Sequence, residues 1–295
     1  MYYGLILLSV AMFGGCFALK DVYRRWRGSS FFISMECALF GSLAGLVVLL
    51  AVNGVKIEFT LFTFLIATLI ALNDVTFSFC AFRALDRINL SLFSLFSMLG
   101  GMLLPSAVGI VFFSEKMTLA KGICYIFILV ALLLTVSKEE KKSGGRIYYA
   151  GIFVLNGLSG VFSKIFEAAP FEKTDAAGCS IWSAIMTAVI SGTVYGVLLL
   201  KRRKTNEQNP EEKPFSLKAL GVGAVSGAVN KIANFVLLIA LFHVDASVQY
   251  PMVTGGVMIV STVLAFFSDN KPGRNDLLSV AAAFLGMLAL FLIPV

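Results

Sequence analysis

Long apolar runs, broken by short polar stretches, fill this chain from end to end. Ten of them approach or exceed the roughly 20 residues a helix needs to cross a bilayer. They fall at 2–19, 31–52, 59–83, 91–113, 119–137, 147–167, 177–200, 216–242, 246–268 and 276–294. Two polar interruptions are long, "SKEEKKSGGR" at 137–146 and "KRRKTNEQNPEEKPFS" at 201–216, and the others read as tight turns. Strand-length alternation is absent, which excludes a β-barrel. The expected fold is all-α, a polytopic membrane protein with ten transmembrane helices. The first run opens at Met1 without a basic stretch before it or a cleavage site after it, so it reads as a retained helix.

Composition supports this reading. Of 295 residues, 58% are hydrophobic and only 14% charged, against about 25% charged in soluble domains. The five cysteines (Cys16, Cys37, Cys80, Cys124, Cys179) sit in or beside apolar runs with neither metal-ligand nor disulfide spacing. The net charge of +7 raises nucleic acid as a partner, but the placement of the charges excludes it. The loops after helices 1, 3, 5, 7 and 9 hold 18 Lys and Arg, the opposite side four, and Lys164 and Lys231 lie inside helices, accounting for all 24. Positive loops face the cytoplasm, so both termini are expected outside a cell (plasma) membrane.

The chain also repeats itself. "RALDRINLS" is echoed by "IALFHVDAS", Gly100-Gly101 by Gly255-Gly256, and "FFSEKMT" (112–118) by "FFSDNKP" (266–272). "MECALFGSLAG" in helix 2 matches "MTAVISGTVYG" in helix 7, and Tyr3, Gly15 and Phe17 match Tyr148, Gly160 and Phe162. A unit of five spans is odd, so its second copy enters the membrane upside down. The predicted organisation is a 5+5 inverted-topology repeat: 1–137, a cytoplasmic linker at 138–146, then 147–295. This symmetry is characteristic of secondary transporters.

These features resemble the drug/metabolite transporter superfamily, in particular its ten-helix EamA-type members. The resemblance spans essentially the whole chain. It rests on "FGGCFALK" (13–20) closing helix 1, on "RAL" (83–85), and on the run to Pro105 followed by "FFSEKMTLAKG" (112–122). It implies transport of a small solute, metabolite export among the family's activities. Glu36, where family members often carry a basic residue, and the outside termini depart from the pattern.

Ionisable residues inside spans cost about 2.5–3.5 kcal/mol each on insertion scales, so they must face a cavity or one another. Asp74 in "LND" and Lys231 in "VNK" are near-equivalents in the repeat, both close to mid-span. Two readings are open: the pair brackets a substrate with amino and carboxylate groups, or it fixes helix 3 to helix 8. Asn73 beside Asp74, and Ser226, Asn230 and Asn234 at i, i+4, i+8, form polar stripes facing a wet cavity or a helix contact. Glu36 and Asp74 are the ion-coupling candidates, Glu36 alternatively bridging to a loop arginine. Lys164 and Glu167 are spaced to pair with each other. Lys20 either snorkels to the surface or carries the role its motif position suggests. Tyr250, Trp182 and Phe96 are candidate cavity aromatics, and the glycine pairs Gly41/Gly45, Gly192/Gly196 and Gly223/Gly227 mark close helix contacts.

The single histidine, His243, has no partners for a metal site, and no Walker loop is present, so no cofactor is expected. The reading is a secondary active transporter of a small polar, amino-acid-like metabolite, working by alternating access and driven by protons or exchange. Its partners are that small-molecule substrate, membrane lipids and a coupling proton. The alternatives are transport of an organic cation such as a choline-like amine and, more remotely, a membrane-embedded lipid-modifying enzyme.

Overall fold

A computed structural model describes residues 2–112, 118–136, 146–205, 212–241, 243–244, 246–268 and 271–292. Ten helices form, one for each expected span: α1 (Tyr2–Arg27), α2 (Phe31–Val52), α3 (Leu61–Leu85), α4 (Leu90–Phe112), α5 (Leu119–Val136), α6 (Arg146–Ala168), α7 (Ala176–Thr205), α8 (Leu217–Leu241), α9 (Ala246–Ala265) and α10 (Arg274–Leu292). The linker at 138–146, apart from Arg146, lies outside the described residues, as does Glu115 of the "FFSEKMT" match.

Capping side chains set several boundaries that hydropathy leaves vague. Ser30 accepts from the Ile33 amide and Thr60 from that of Thr63, while Asn89 and Asp175 do the same for Leu92 and Gly178. The clearest departure from the expected boundaries is α1, which continues past residue 19 through "KDVYRRWR" to Arg27. Hydropathy marks where the chain leaves hydrocarbon, not where the helix stops. Here Asp21 pairs with both Arg24 and Arg25, one turn on, and holds the polar extension helical. Among the described residues, six helices (α1, α2, α3, α6, α7, α8) carry an apolar window long enough for a strict membrane span. In α4 and α9 the apolar stretches are shorter, Leu90–Pro105 and Met252–Ala265.

The packing has the symmetry that the sequence repeat implies. Exchanging α1–α5 with α6–α10 maps the contact of α1 with α8 onto that of α6 with α3. It likewise maps α2 with α8 onto α7 with α3, and α4 with α6 onto α9 with α1. The α2–α7, α4–α9 and α5–α10 contacts map onto themselves. All of these extensive contacts join one half to the other, so the halves interleave; the main core cluster draws on α1, α3, α4, α5, α6, α8, α9 and α10, with smaller clusters beside it such as Tyr23, Phe32, Ile33 and Phe82. The outer surface exposes apolar rows such as Leu65, Leu69 and Leu72 on α3 and Leu43 and Val47 on α2. That is the surface of an integral membrane protein in contact with lipid.

Glycines make the inter-half contacts tight. A Cβ on Gly41 would lie 2.9 Å from the Gly227 Cα, so α2 and α8 touch backbone to backbone. In the repeat-related contacts, a Cβ on Gly160 would meet the Pro105 ring at 2.6 Å, and one on Gly14 would collide with Val260. Gly196, by contrast, has nothing within 4 Å of a Cβ. Gly41→Val should therefore lower stability by about 1–3 kcal/mol through overpacking, whereas Gly196→Ala should leave it unchanged or raise it. Thermal unfolding of the detergent-solubilised protein distinguishes the two.

Candidate functional site

Six helices that cross the middle of the bundle (α1, α2, α3, α6, α8 and α9), with Met98 and Gly101 of α4 and Thr187 of α7, line a cavity of about 170 Å³. A cavity needs about 10–15 Å³ to admit one water, so this space admits several waters or one small metabolite. Its lining is polar for a bundle interior, with Asn73, Asp74, Asn156, Asn230, Lys231 and Asn234 among the residues that face it.

Asp74 and Lys231 meet across this space. Lys231 Nζ lies 2.8 Å from Asp74 Oδ2, and α7 adds the Ser183 and Thr187 hydroxyls at 3.3 and 3.4 Å. The lysine side chain is 9% exposed and the aspartate 31%, so the aspartate is the more open to the cavity. Gly45 allows the arrangement: a Cβ there would sit 2.8 Å from Lys231 Cγ, so the lysine stem lies directly against the α2 backbone.

Of the other residues expected from the sequence, Asn73, Asn230, Asn234 and Tyr250 line the cavity. Asn73 donates to the Leu155 carbonyl at 2.9 Å, while its own carbonyl oxygen is buried with no partner among the described residues. Asn234 donates to the Asn230 carbonyl one turn below. Tyr250 reaches the Gly160 carbonyl at 3.4 Å, and α9 runs unbroken through position 251. Trp182 and Phe96 lie outside the lining. The Trp182 indole donates to the Glu58 carbonyl at the mouth of α3 and packs edge-on against Phe59 and Phe64. Phe96 is buried and stacks on Tyr149. Both rings pack against other aromatics, and the sequence does not reveal this because an aromatic at helical spacing carries no sign of which face turns inward.

Glu36 is also outside the lining. Its carboxylate is held by Arg27 at 2.8 and 3.0 Å, by the Tyr23 hydroxyl at 2.6 Å and by Tyr195 at 3.3 Å. The Arg27 and Glu36 side chains are 6% and 2% exposed. This cluster belongs to a lattice that closes one end of the bundle. Arg24 bridges Asp21 to Asp86 of the α3 end, Ser268 after α9 contacts both Arg25 and Asp21, and Arg27 Nη1 donates to the Lys213 carbonyl. Arg202 on α7 grips Glu212 in a bidentate pair while Ser30 donates to the same carboxylate. Burial pushes the Glu212 carboxyl up, but these hydrogen bonds and the nearby arginines outweigh it and hold it below its ordinary value. The stability it contributes is therefore present above its unfolded pKa and is lost as pH falls through the folded one. The cavity reaches toward the opposite end, to Gln249 and Tyr250 near the start of α9 and Leu237 and Leu238 near the end of α8.

The structure adds lining residues that sequence reasoning did not single out as a site. Asn156 faces the cavity and donates to the Ser97 carbonyl at 2.7 Å; its signal was an amide inside an apolar run. Lys20 is buried, at 8% exposure, with its ammonium 5.4 Å from the centre of the Phe77 ring. Instead of snorkelling to the surface it lines the cavity. Among the described residues no three His, Cys, Asp or Glu side chains gather as a metal site, and the five thiols are free.

Neither a protein-family model nor a curated protein matches the chain. Its fold does have a counterpart. A crystal structure of a protein 14% identical to this chain superposes with a TM-score of 0.62, covering 97% of this chain and 99% of its own length. At that identity the likeness establishes the fold alone: the two chains share one helical arrangement over nearly their whole lengths.

The Arg27–Glu36 pair gives a direct test of the closed end. Arg27→Met strands a buried carboxylate and should cost about 3–5 kcal/mol, while Arg27→Met with Glu36→Leu should recover most of it. Unfolding of the two variants in mixed micelles measures the difference.

Proposed function

We propose that this protein is a secondary active transporter of a small polar organic metabolite, working by alternating access. The observation that carries the reading is the polar cavity between the repeat halves, with the Asp74–Lys231 pair inside it and an ion-pair lattice closing one end. A site shared by two interleaved inverted halves can open to either face when the halves exchange conformations. The lattice end carries the excess of Lys and Arg, so it is the cytoplasmic face of a plasma-membrane protein with both termini outside. The conformation described here then faces outward. The repeats span 1–137 and 147–295 around the linker at 138–146. The resemblance to EamA-type members of the drug/metabolite transporter superfamily supports the same reading.

The substrate is an amino-acid-like or related metabolite. Asp74, Lys231, Asn73, Asn230, Asn234 and Tyr250 form its binding site, with Asp74 the candidate for coupling to protons. Glu36 is committed to Arg27 and two tyrosines, which favours a structural role. Trp182 and Phe96 drop out of the proposed site because neither faces the cavity. An organic-cation substrate is disfavoured by the lining, where Lys20 and Lys231 outnumber Asp74.

The test is charge neutralisation and charge exchange in reconstituted protein. Asp74→Asn and Lys231→Met should each abolish solute-dependent currents on a solid-supported membrane while the protein stays monodisperse, and Asp74→Lys with Lys231→Asp should not restore them. Wild-type currents from the exchanged pair would make it a structural pin only. No current across a broad metabolite panel would remove the transport reading.

A further inference from the structure

Among the described residues three charged side chains line the cavity: Lys20, Asp74 and Lys231. Two of them neutralise each other at 2.8 Å. Lys20 is left over. Among the described residues its ammonium meets the face of Phe77 and no anion. The carboxylates nearest to it in the chain and on the adjoining helices are all committed elsewhere. Asp21, the next residue, takes Arg24 and Arg25; Glu36 takes Arg27; Asp86 takes Arg24. The cavity therefore carries one net positive charge, two lysines against one aspartate, at a depth where an uncompensated ion is costly.

We infer that Lys20 and the Phe77 ring form an anion subsite at the inner end of the cavity, and that the occupant is a small organic monoanion with a single carboxylate or equivalent acid group. Position, charge and size each contribute to this. Lys20 lies two turns before α1 ends at Arg27, so with Cys37, the neighbour of Glu36, it stands on the lattice side of the lining. An anion entering from the open end travels past the neutral amides of Asn234 and Asn230 and the self-compensated pair before it meets a free positive charge. A monoanion brings the enclosed charge to zero, whereas a cation raises it to +2 and a zwitterion leaves it at +1. The volume is far larger than a halide needs, which leaves room for an organic body against Phe13, Phe17 and Phe77. The pair at Asp74–Lys231 is then free to act as the element that senses occupancy, since the substrate's acid group need not break it to be bound.

This rests on the transport reading for a place in the cycle and narrows its substrate from amino-acid-like solutes to related metabolites with an acid group and no ammonium, but anion binding is measurable without transport. The purified full-length chain in detergent is heated at constant ionic strength with sodium lactate as the probe, lactamide as its neutral counterpart, choline chloride as the cation and sodium chloride as the inorganic control. Lactate should raise the wild-type Tm by several degrees while the other three leave it in place, as expected for a ligand that binds only the folded form. Lys20→Met should be at least as stable as wild type, because it removes an uncompensated buried charge, and should lose the response to lactate. Lys20→Arg should keep it. A wild-type Tm unmoved by lactate, an equal rise with chloride or lactamide, an undiminished response in Lys20→Met, or a Lys20→Met protein less stable than wild type each overturns the proposal. A lactate response that depends on Lys20, without solute-driven current in proteoliposomes, leaves the anion subsite standing and removes only the transport reading.

Discussion

The contact between Lys231 and Asp74 ties together three features of this protein. It joins α8 to α3, which are repeat-related helices from opposite halves, at the middle of the bundle. Within a low-dielectric interior each charge is costly alone, so the pair favours one relative height and rotation of the two helices. The cavity forms around it because two charged groups and their amide neighbours cannot be packed against the apolar core. A polar chamber between inverted halves is the geometric result.

That pair depends in turn on how closely the helices approach. The lysine stem occupies the space left by Gly45, and the α2–α8 backbones touch at Gly41 and Gly227 four residues away. A larger side chain at any of these positions pushes α8 outward and lengthens the ion pair. Small residues and buried charge are thus parts of one design: the glycines bring the helices together, and the charges set their register. Elsewhere the same logic is looser. Gly192 meets only Leu39, and Gly196 meets nothing, so the matching glycine pair on α7 does not mark an equally tight contact.

Much of this arrangement was legible in the chain. Ten apolar runs gave ten helices because a spanning segment has to satisfy its own backbone, and length and polarity record that demand directly. The repeat was legible because the two copies kept matching residues at matching spacings, even where only one glycine of a matched pair sits at a tight crossing, as Gly45 does and Gly196 does not. Asp74 and Lys231 stood out as charges in apolar surroundings, and they do meet. The aromatic residues were not legible: Trp182 and Phe96 sit in runs where every face is apolar, so periodicity could not say which way they turn. The end of α1 was hidden for a related reason, since a helix stabilised by Asp21 pairing with Arg24 and Arg25 looks like a loop to hydropathy. Lys20 fell between these cases. A lysine near the end of a span reads as a surface group, and only the crossing of α1 with the rest of the bundle turns it inward.

The two ends of the cavity differ in what holds them. At the end that includes Arg27 and Glu36, closure is made of buried ion pairs and charge-assisted hydrogen bonds that connect α1, α2, α3, α7 and the segments beside α8 and α9. The symmetry of the packing does not extend to this chemistry, because the repeat mate of Glu36 is Thr187, whose hydroxyl contacts Lys231 instead. Opening that end requires charges such as Glu36, at 2% exposure, to give up partners before water can reach them. At the opposite end the lining is of another kind, amides and apolar side chains of α8 and α9 such as Asn234, Leu237 and Gln249 beside the Tyr250 ring. The two ends are therefore held by different forces, electrostatic on one side and packing with neutral polar groups on the other, and ionic strength acts chiefly on the more exposed members of the lattice, such as Arg24–Asp86, while the buried Arg27–Glu36 pair is shielded from it.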